Sequence, residues 1–221
     1  MNEEVKFFLK NNNINVVNEK DLCKGRRNSK IYIEGLFYFH HIFLKEENSI
    51  RFKFPNEIWK IVQNFKVWNE RVERLNFEDE KISRVKEYAR KSIRTIYDID
   101  FKELIKRAMD RKEVCVERIY FQKENENNTI VLSKSSNITF RMIEDDYYKY
   151  FKKLKIERKL SDELINYALK KEGLGEESFI YIESLISYPY NSIKYLQNAY
   201  LKDNGIDLEK LETFMNKDFL I

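Results

Sequence analysis

Hydrophobic positions recur along most of the chain at the spacing of an amphipathic helix. Between residues 55 and 110, one apolar stripe includes Phe65 and a second includes Val85. A repeat every three to four residues predicts helices that each bury one face. Further helical stripes begin near Tyr147, Ser161, Phe179, Ile193 and Leu208. The chain is therefore predicted to be mainly helical, with Gly173 as a left-handed helix end.

Two regions have the residue types and the shorter period of β-strands. In the first, residues 30–44 are rich in aromatic and β-branched side chains, and a polar turn at 46–49 leads to alternating apolar positions at 50–54. In the second, a strand at 114–121 is followed by an asparagine-rich turn and a partner strand at 129–132. These patterns predict two small antiparallel sheets.

The order of these elements predicts an α+β fold that is mainly helical. A small β-containing N-terminal lobe is expected over residues 1–54. A helical lobe is expected over 55–221, with a β-hairpin near 114–143 to which residues 137–143 add a strand.

Composition narrows the class of protein. Hydrophobic residues make up 43% of the 221 residues, with only five Gly and two Pro, so a packed core is expected. The 41 basic and 37 acidic residues are interspersed, which is typical of a solvated surface. The pI near 8.8 permits an anionic partner without requiring one. The sequence contains no bilayer-length apolar run and no secretory signal pattern, so we expect a cytoplasmic protein with no membrane partner.

Cysteine and histidine offer little catalytic chemistry. Cys23 and Cys115 are far apart and form no C-x-x-C pair, so a reducing compartment is the default. Cys115 lies in a predicted strand without a histidine nearby in sequence, which favours a buried small hydrophobic residue over a nucleophile. His40 and His41 are the only histidines. As neighbours on a strand they would point to opposite faces, so packed or surface histidines are favoured over a shared metal site.

An acidic run precedes the Tyr147 helix and allows two interpretations. Glu144, Asp145 and Asp146 could supply carboxylates to a metal ion. Acidic residues in the first turn also stabilise a helix through its dipole. The capping role is favoured unless a further carboxylate converges on the run.

The densest basic run also has two interpretations. It contains Lys149, Lys152, Lys153, Lys155, Arg158 and Lys159. The interleaved tyrosines are typical of a nucleic-acid surface. However, Tyr147, Tyr150, Phe151 and Leu154 share one helical face, which predicts that they enter a core and that the basic residues form an ordinary solvated face.

One resemblance to a known family is carried by aromatic motifs. The segment 186–195, ISYPYNSIKY, is similar to a tyrosine–proline helix start near the C-terminus of the spore-coat S-type proteins. The segment 65–70, FKVWNE, is similar to a Lys-x-Trp segment in the first large-lobe helix of that family. The spore-coat S-type proteins resemble aminoglycoside and choline phosphotransferases. The resemblance covers about residues 55–203 and implies an abbreviated kinase-like fold.

The catalytic residues of that family are replaced at the matching positions. Members carry a C-H-G-D-x-x-x-x-N loop, in which Cys115 matches the cysteine. The other degenerate positions are Val116, Glu117 and Arg118 in place of His, Gly and Asp, Lys123 near the Asn, and Ser133 near the metal-binding Asp. Phosphoryl transfer depends on such carboxylates and on metal-held charge neutralisation. The resemblance therefore implies a non-catalytic relative without a cofactor, and no glycine-rich phosphate loop occurs in the sequence.

Three functional hypotheses follow. The leading one is a kinase-like pseudoenzyme that acts as a structural or protein-interaction component, with a spore-coat or assembly protein as partner and the spore coat as location. The alternative is a nucleic-acid-binding or regulatory protein that uses the basic helix 149–159. The third is an enzyme of unfamiliar type, which a pocket joining Asp145 and Asp146 to Glu117 or another acid would support.

Overall fold

The computed structural model confirms a mainly helical α+β fold. It describes residues 1–22, 28–44, 52–124, 127–202 and 205–219. Its α-helices are α1 (Glu3–Asn11), α2 (Ser29–Leu44), α3 (Lys60–Glu73), α4 (Glu80–Asp98), α5 (Phe101–Arg111), α6 (Glu144–Ile156), α7 (Asp162–Glu172), α8 (Glu176–Ser187), α9 (Tyr190–Lys202) and α10 (Leu208–Phe219). Its strands are β1 (Ile14–Val17), β2 (Val114–Val116), β3 (Tyr120–Glu124), β4 (Asn127–Ser133) and β5 (Ile138–Phe140). Cys23, the turn predicted at 46–49 and the centre of the hairpin turn at 125–126 lie outside the described residues.

The chain forms two compact units, each built from three separate stretches. The first unit comprises Met1–Ile58, Leu104–Tyr147 and Ser161–Leu174. The second comprises Trp59–Glu103, Tyr148–Leu160 and Gly175–Ile221. The predicted lobes, 1–54 and 55–221, are by contrast continuous in sequence.

The described strands all lie in the first unit. β3 pairs antiparallel with β4, from Tyr120 opposite Val131 onward, so a hairpin forms in the predicted region. The single strand predicted over 114–121 is wrong, because β2 ends at Val116 and the hairpin strand begins at Tyr120. β1 runs parallel to β4 along its other edge, so the strand order is β1-β4-β3. β5 pairs with β2 and forms a separate antiparallel ladder. The strand predicted at 137–143 therefore joins β2 and not the hairpin.

The N-terminal sheet predicted over 30–44 is wrong, because this stretch forms helix α2. Its aromatic and β-branched content favours strands. Its buried residues Ile33, Leu36, Phe39 and Phe43, however, lie three or four positions apart, which is the helical period. Burial of that face decides the conformation over local propensity.

The strand predicted at 50–54 is also wrong in its described part, since residues 52–54 belong to no strand. The rings of Phe52 and Phe54 both lie against Phe43, with centroids 6.2 and 5.7 Å away. Phe8 of α1 joins them at 5.1 Å from Phe43. The apolar alternation in the sequence thus reflects an aromatic cluster in the core of the first unit.

Several helix ends are fixed by side chains or by backbone geometry, and one of them is the predicted end at Gly173. Asp79 accepts hydrogen bonds from the amides of Lys81 and Ile82 at the start of α4. Asp207 does the same for the first amides of α10. Gly173 ends α7 with φ of 66°, the left-handed conformation that glycine adopts without steric cost.

In the second unit, Asp218 connects the last helix to α9. Its Oδ1 accepts from the backbone and side-chain nitrogens of Asn191, at 3.1 and 2.9 Å. Its Oδ2 accepts from the amide and hydroxyl of Ser192, at 2.8 and 2.7 Å. The carboxylate is buried and satisfies amides at the N-terminus of α9 that have no intrahelical partner.

Replacing Asp218 with alanine is expected to lower the free energy of unfolding by about 2–4 kcal/mol, because buried donors lose a charged acceptor. Glu212→Ala on the same helix is the control, since it removes only a solvent-exposed ion pair with Lys81 and should cost less than about 1 kcal/mol. Urea unfolding followed by circular dichroism measures both. Equal losses in the two variants would contradict this role of Asp218.

Candidate functional site

The positions that the sequence resemblance aligned with a phosphotransferase loop lie in β2, in the segment after it and in β3. Cys115 and Val116 are buried in the two-stranded sheet. Arg118 follows β2 and is exposed. Ser133 ends β4, where its hydroxyl lies 2.8 Å from that of Ser135. Lys123 lies on β3.

Cys115 belongs to a buried cluster with His40 and Asp146, and we call these three residues the His–Cys–Asp cluster. They come from α2, β2 and the first turn of α6, all within the first unit. One nitrogen, one sulfur and one carboxylate oxygen lie within 4.8 Å of one another. His40 and Cys115 are fully buried, and Asp146 is 4% exposed. These three atom types are the ones that proteins use to bind zinc.

Two carboxylates hold the imidazole of His40. Nδ1 lies 2.7 Å from Oε1 of Glu172, and Nε2 lies 3.2 Å from Oδ2 of Asp146. The same oxygen of Glu172 accepts the hydroxyl of Tyr147 at 2.6 Å. The same oxygen of Asp146 accepts the backbone amide of Val116 at 2.8 Å. The ring is therefore fixed in orientation by partners on both of its nitrogens.

The charges around His40 favour the protonated ring. Burial by itself lowers the pKa of His40, but the carboxylates of Glu172 and Asp146 outweigh burial and raise the pKa to about 10. Burial, and then the charge of Asp146, raises the pKa of the Cys115 thiol well above its usual value.

One oxygen of the cluster takes no part in these hydrogen bonds. Oδ1 of Asp146 is buried and has no hydrogen-bond partner among the described residues. Buried polar atoms are almost always paired, because leaving one unpaired costs about 1–3 kcal/mol or more. This oxygen therefore marks a position where a further positive group would be favourable.

A second buried ion cluster in the first unit is centred on Arg107 of α5. Its Nε donates to Glu113 at 2.9 Å, and its Nη2 donates to Glu144 at 2.7 Å. Glu113 also accepts the amide of Ile143 at 3.1 Å. Both glutamates are fully buried, and burial together with the charge of Glu144 raises the pKa of Glu113.

The acidic run 144–146 combines the predicted position at a helix start with burial. The three acids do lie in the first turn of α6, but each is buried, with at most 4% exposed. Additional carboxylates, Glu113 and Glu172, converge on the run from elsewhere in the chain. From the sequence, a capping role is favoured unless a further carboxylate converges on the run. That convergence, which would favour a metal site, is present.

The histidines and Cys115 behave as predicted one by one, but not together. His40 is packed and His41 is exposed, and Cys115 is a buried thiol. No local pattern indicates that His40 meets Asp146, 106 residues away, and Glu172, 132 residues away. Had residues 30–44 been predicted as a helix, the helical period would have placed His40 on the buried face with Leu36 and Phe43. This period is the sequence signal that could have identified His40 as a buried residue.

The basic run 149–159 is less solvated than predicted. Lys153 and Arg158 are exposed, and the half-buried members are Lys149, Lys152 and Lys155. Within the second unit, Lys152 donates to the carbonyl of Tyr188 at 3.1 Å, and its Nζ lies 5.2 Å from the ring centre of Tyr190. Burial lowers the pKa of Lys152 to about 8. The predicted core face is confirmed, since its buried members include Tyr147, Phe151 and Leu154.

Comparisons of the chain with protein-family models, with curated proteins and with solved structures found no match. Among the described residues, the helices are all too short or too polar to cross a membrane.

Replacing Arg107 with methionine is expected to lower the free energy of unfolding by about 3–5 kcal/mol, because two buried carboxylates lose their cation. Arg111→Met, at an exposed position on the same helix, is the control and should change it by less than about 0.5 kcal/mol. Urea unfolding measures the difference. A cost for Arg107→Met no larger than that of the control would show that the cluster does not stabilise the fold.

Lys152 should make the folded state more stable as the pH rises from 8 to 10.5. Its pKa is lowered from 10.5 to about 8, so across this window the unfolded chain binds the extra proton. Stability rises with pH wherever the unfolded state binds more protons. We expect the free energy of unfolding to rise by about 1–3 kcal/mol more in the native chain than in Lys152→Met.

The exposed neighbour provides the control for this pH dependence. Lys153→Met should keep the pH dependence of the native chain, because Lys153 is solvated in the folded state. Unfolding curves at a series of pH values compare the three proteins. If the free energy of unfolding changed with pH equally in Lys152→Met and in the native chain, the burial of Lys152 would not be the cause of the pH dependence.

Proposed function

We propose that this chain is a non-catalytic, kinase-like protein that acts as a structural or protein-interaction component. Its expected partner is a spore-coat protein or a protein of coat assembly, and its expected location is the coat. Two observations support the proposal. The first is the resemblance of the aromatic motifs at 65–70 and 186–195, and the second is the structure of segment 115–118, where the resemblance places the catalytic residues.

The second observation carries the proposal: the segment 115–118 begins as a buried, paired strand at Cys115 and Val116. Cys115 and Val116 are buried in β2, which is paired with β5. The amide of Val116 is held by Asp146. An enzyme of this kind needs a carboxylate that reaches the substrate hydroxyl, whereas Glu113 and Asp146 are buried against basic or amide partners.

The electrostatics of the remaining positions also support a non-catalytic role. Arg118 places an exposed cation where the resemblance expects the catalytic aspartate. A cation there opposes the binding of Mg²⁺, which phosphoryl transfer uses to neutralise developing charge. Ser133 replaces the metal-binding aspartate, and its hydroxyl is hydrogen-bonded to Ser135.

Thermal unfolding with millimolar ATP and Mg²⁺ tests the non-catalytic part of the proposal. A ligand at 100 times its dissociation constant stabilises a protein by about 2.7 kcal/mol, which is worth several degrees in the midpoint. We expect no shift for the native chain. Arg118→Asp is the matched variant, because it removes the opposing cation without touching the core.

A shift of several degrees in the native chain would contradict the proposal and indicate a nucleotide-binding module. A shift only in Arg118→Asp would support it, because that result would show that the cation at this position prevents binding. The interaction part is tested by capture with a tagged chain from sporulating cells, with vegetative cells as the control. Recovery of no coat or assembly component would count against it.

The nucleic-acid alternative has lost part of its basis, because Lys152 and Lys155 are half-buried. The salt dependence of nucleic-acid binding distinguishes this alternative from the leading proposal. Affinity for single-stranded DNA that falls steeply between about 50 and 200 mM salt, and that Lys153→Ala and Arg158→Ala weaken, would favour the alternative.

A further inference from the structure

We infer that His40, Cys115 and Asp146 bind a divalent cation of the zinc type inside the first unit. The donors are one imidazole nitrogen, one sulfur and carboxylate oxygen, which is a set that zinc accepts in tetrahedral sites. His40 Nε2 and Asp146 Oδ2 lie 3.2 Å apart. Bond lengths of roughly 2.0–2.2 Å give a tetrahedron around zinc an edge of about 3.4 Å, so this spacing needs little adjustment.

The unpaired oxygen of Asp146 supplies the independent sign that a ligand belongs in the cluster. Oδ1 is buried on a side chain that is only 1% exposed, and it has no hydrogen-bond partner among the described residues. If both oxygens of Asp146 bind the cation, Oδ1 gains the positive partner that it lacks. The protein then supplies four donor atoms from three residues, in a geometry distorted from the tetrahedron because the two oxygens of one carboxylate lie close together.

Binding of the cation also exchanges two protons for the metal. When a divalent cation binds, the proton on His40 Nε2 and the proton on the Cys115 thiol leave, so two protons are released for each cation. Metal binding of this kind depends on pH because the ligands have to lose protons.

Glu172 is the positioning residue of the proposed site. It contacts Nδ1 of His40 at 2.7 Å and would keep its hydrogen bond to the protonated Nδ1 when Nε2 binds the metal. The hydroxyl of Tyr147 holds Glu172 in turn, at 2.6 Å. A carboxylate on the outer nitrogen of a metal-bound histidine fixes its orientation and raises its basicity.

Burial assigns the cation a structural role. His40 and Cys115 are fully buried, so no solvent-facing coordination position is present for a substrate. The cation would join α2, β2 and α6, three elements that are distant in sequence. It would enter during folding or through local opening, so metal binding and folding of this unit would be coupled.

Cobalt(II) provides the probe, because it replaces zinc and its thiolate complexes absorb light. The full chain is unfolded in the presence of a chelator, freed of metal by gel filtration, and refolded with cobalt alone. We expect one cobalt per chain, a thiolate-to-cobalt absorption band in the near ultraviolet and the strong visible bands of tetrahedral cobalt. Zinc added afterwards should remove these bands, since zinc binds such ligands more tightly.

Three variants test which residues bind the cation. Cys23→Ser should retain the absorption band, whereas Cys115→Ser should lose it. Glu172→Gln should keep the band but weaken cobalt affinity by about 10–100-fold, measured by competition with a chelator. Circular dichroism confirms that each variant has folded.

Loss of the band in Cys23→Ser and its retention in Cys115→Ser would overturn the assignment. A refolded native chain that binds less than one cobalt, or binds it without the band, would also overturn it, and this result does not depend on any variant. Because the test reports metal binding alone, its failure would leave the proposed interaction function standing.

Discussion

The burial of charged side chains in the first unit is the constraint on which most of its architecture depends. A buried charge is tolerated only when an opposite charge or a hydrogen-bonding group lies against it. His40 therefore requires α6 and α7 to stay within hydrogen-bond distance of α2. Arg107 imposes the same requirement on α5, the residue before β2 and the start of α6. The helices of this unit are thus placed by charge pairing as well as by apolar packing.

The first turn of α6 serves both ion clusters. Glu144 and Asp146 are two residues apart, so their side chains leave the helix about 200° from each other. One reaches Arg107 and the other reaches His40. The positive end of the helix dipole adds to the stabilisation of both acids. The dipole role predicted from the sequence is therefore present, combined with ion pairing that arises only from the tertiary structure.

What the sequence could predict follows from the range of the interaction involved. The helices after residue 55, the helix end at Gly173 and the hairpin of β3 and β4 depend on local periodicity, capping or turns, and they were predictable. Helix α2 was not, because its aromatic and β-branched residues favour strands and only their tertiary burial makes it a helix. The contact of His40 with Glu172 spans 132 residues. No local pattern reports such a contact, and without related sequences nothing singles out these side chains from other charged residues.

Buried ion clusters are a poor source of stability, which bears on what the first unit does. Apolar residues of similar volume often stabilise a fold as well or better, whereas removal of one partner is strongly destabilising. Such clusters therefore favour one arrangement of the elements over others. Their carboxylates are buried, so solvent and substrates do not reach them. An enzyme that transfers phosphoryl groups needs its acids at the surface of a cleft. Glu113 and Asp146 are instead buried against basic or amide partners, as the proposed non-catalytic role expects. A cation bound between His40, Cys115 and Asp146 would add one more fixed contact between α2, β2 and α6.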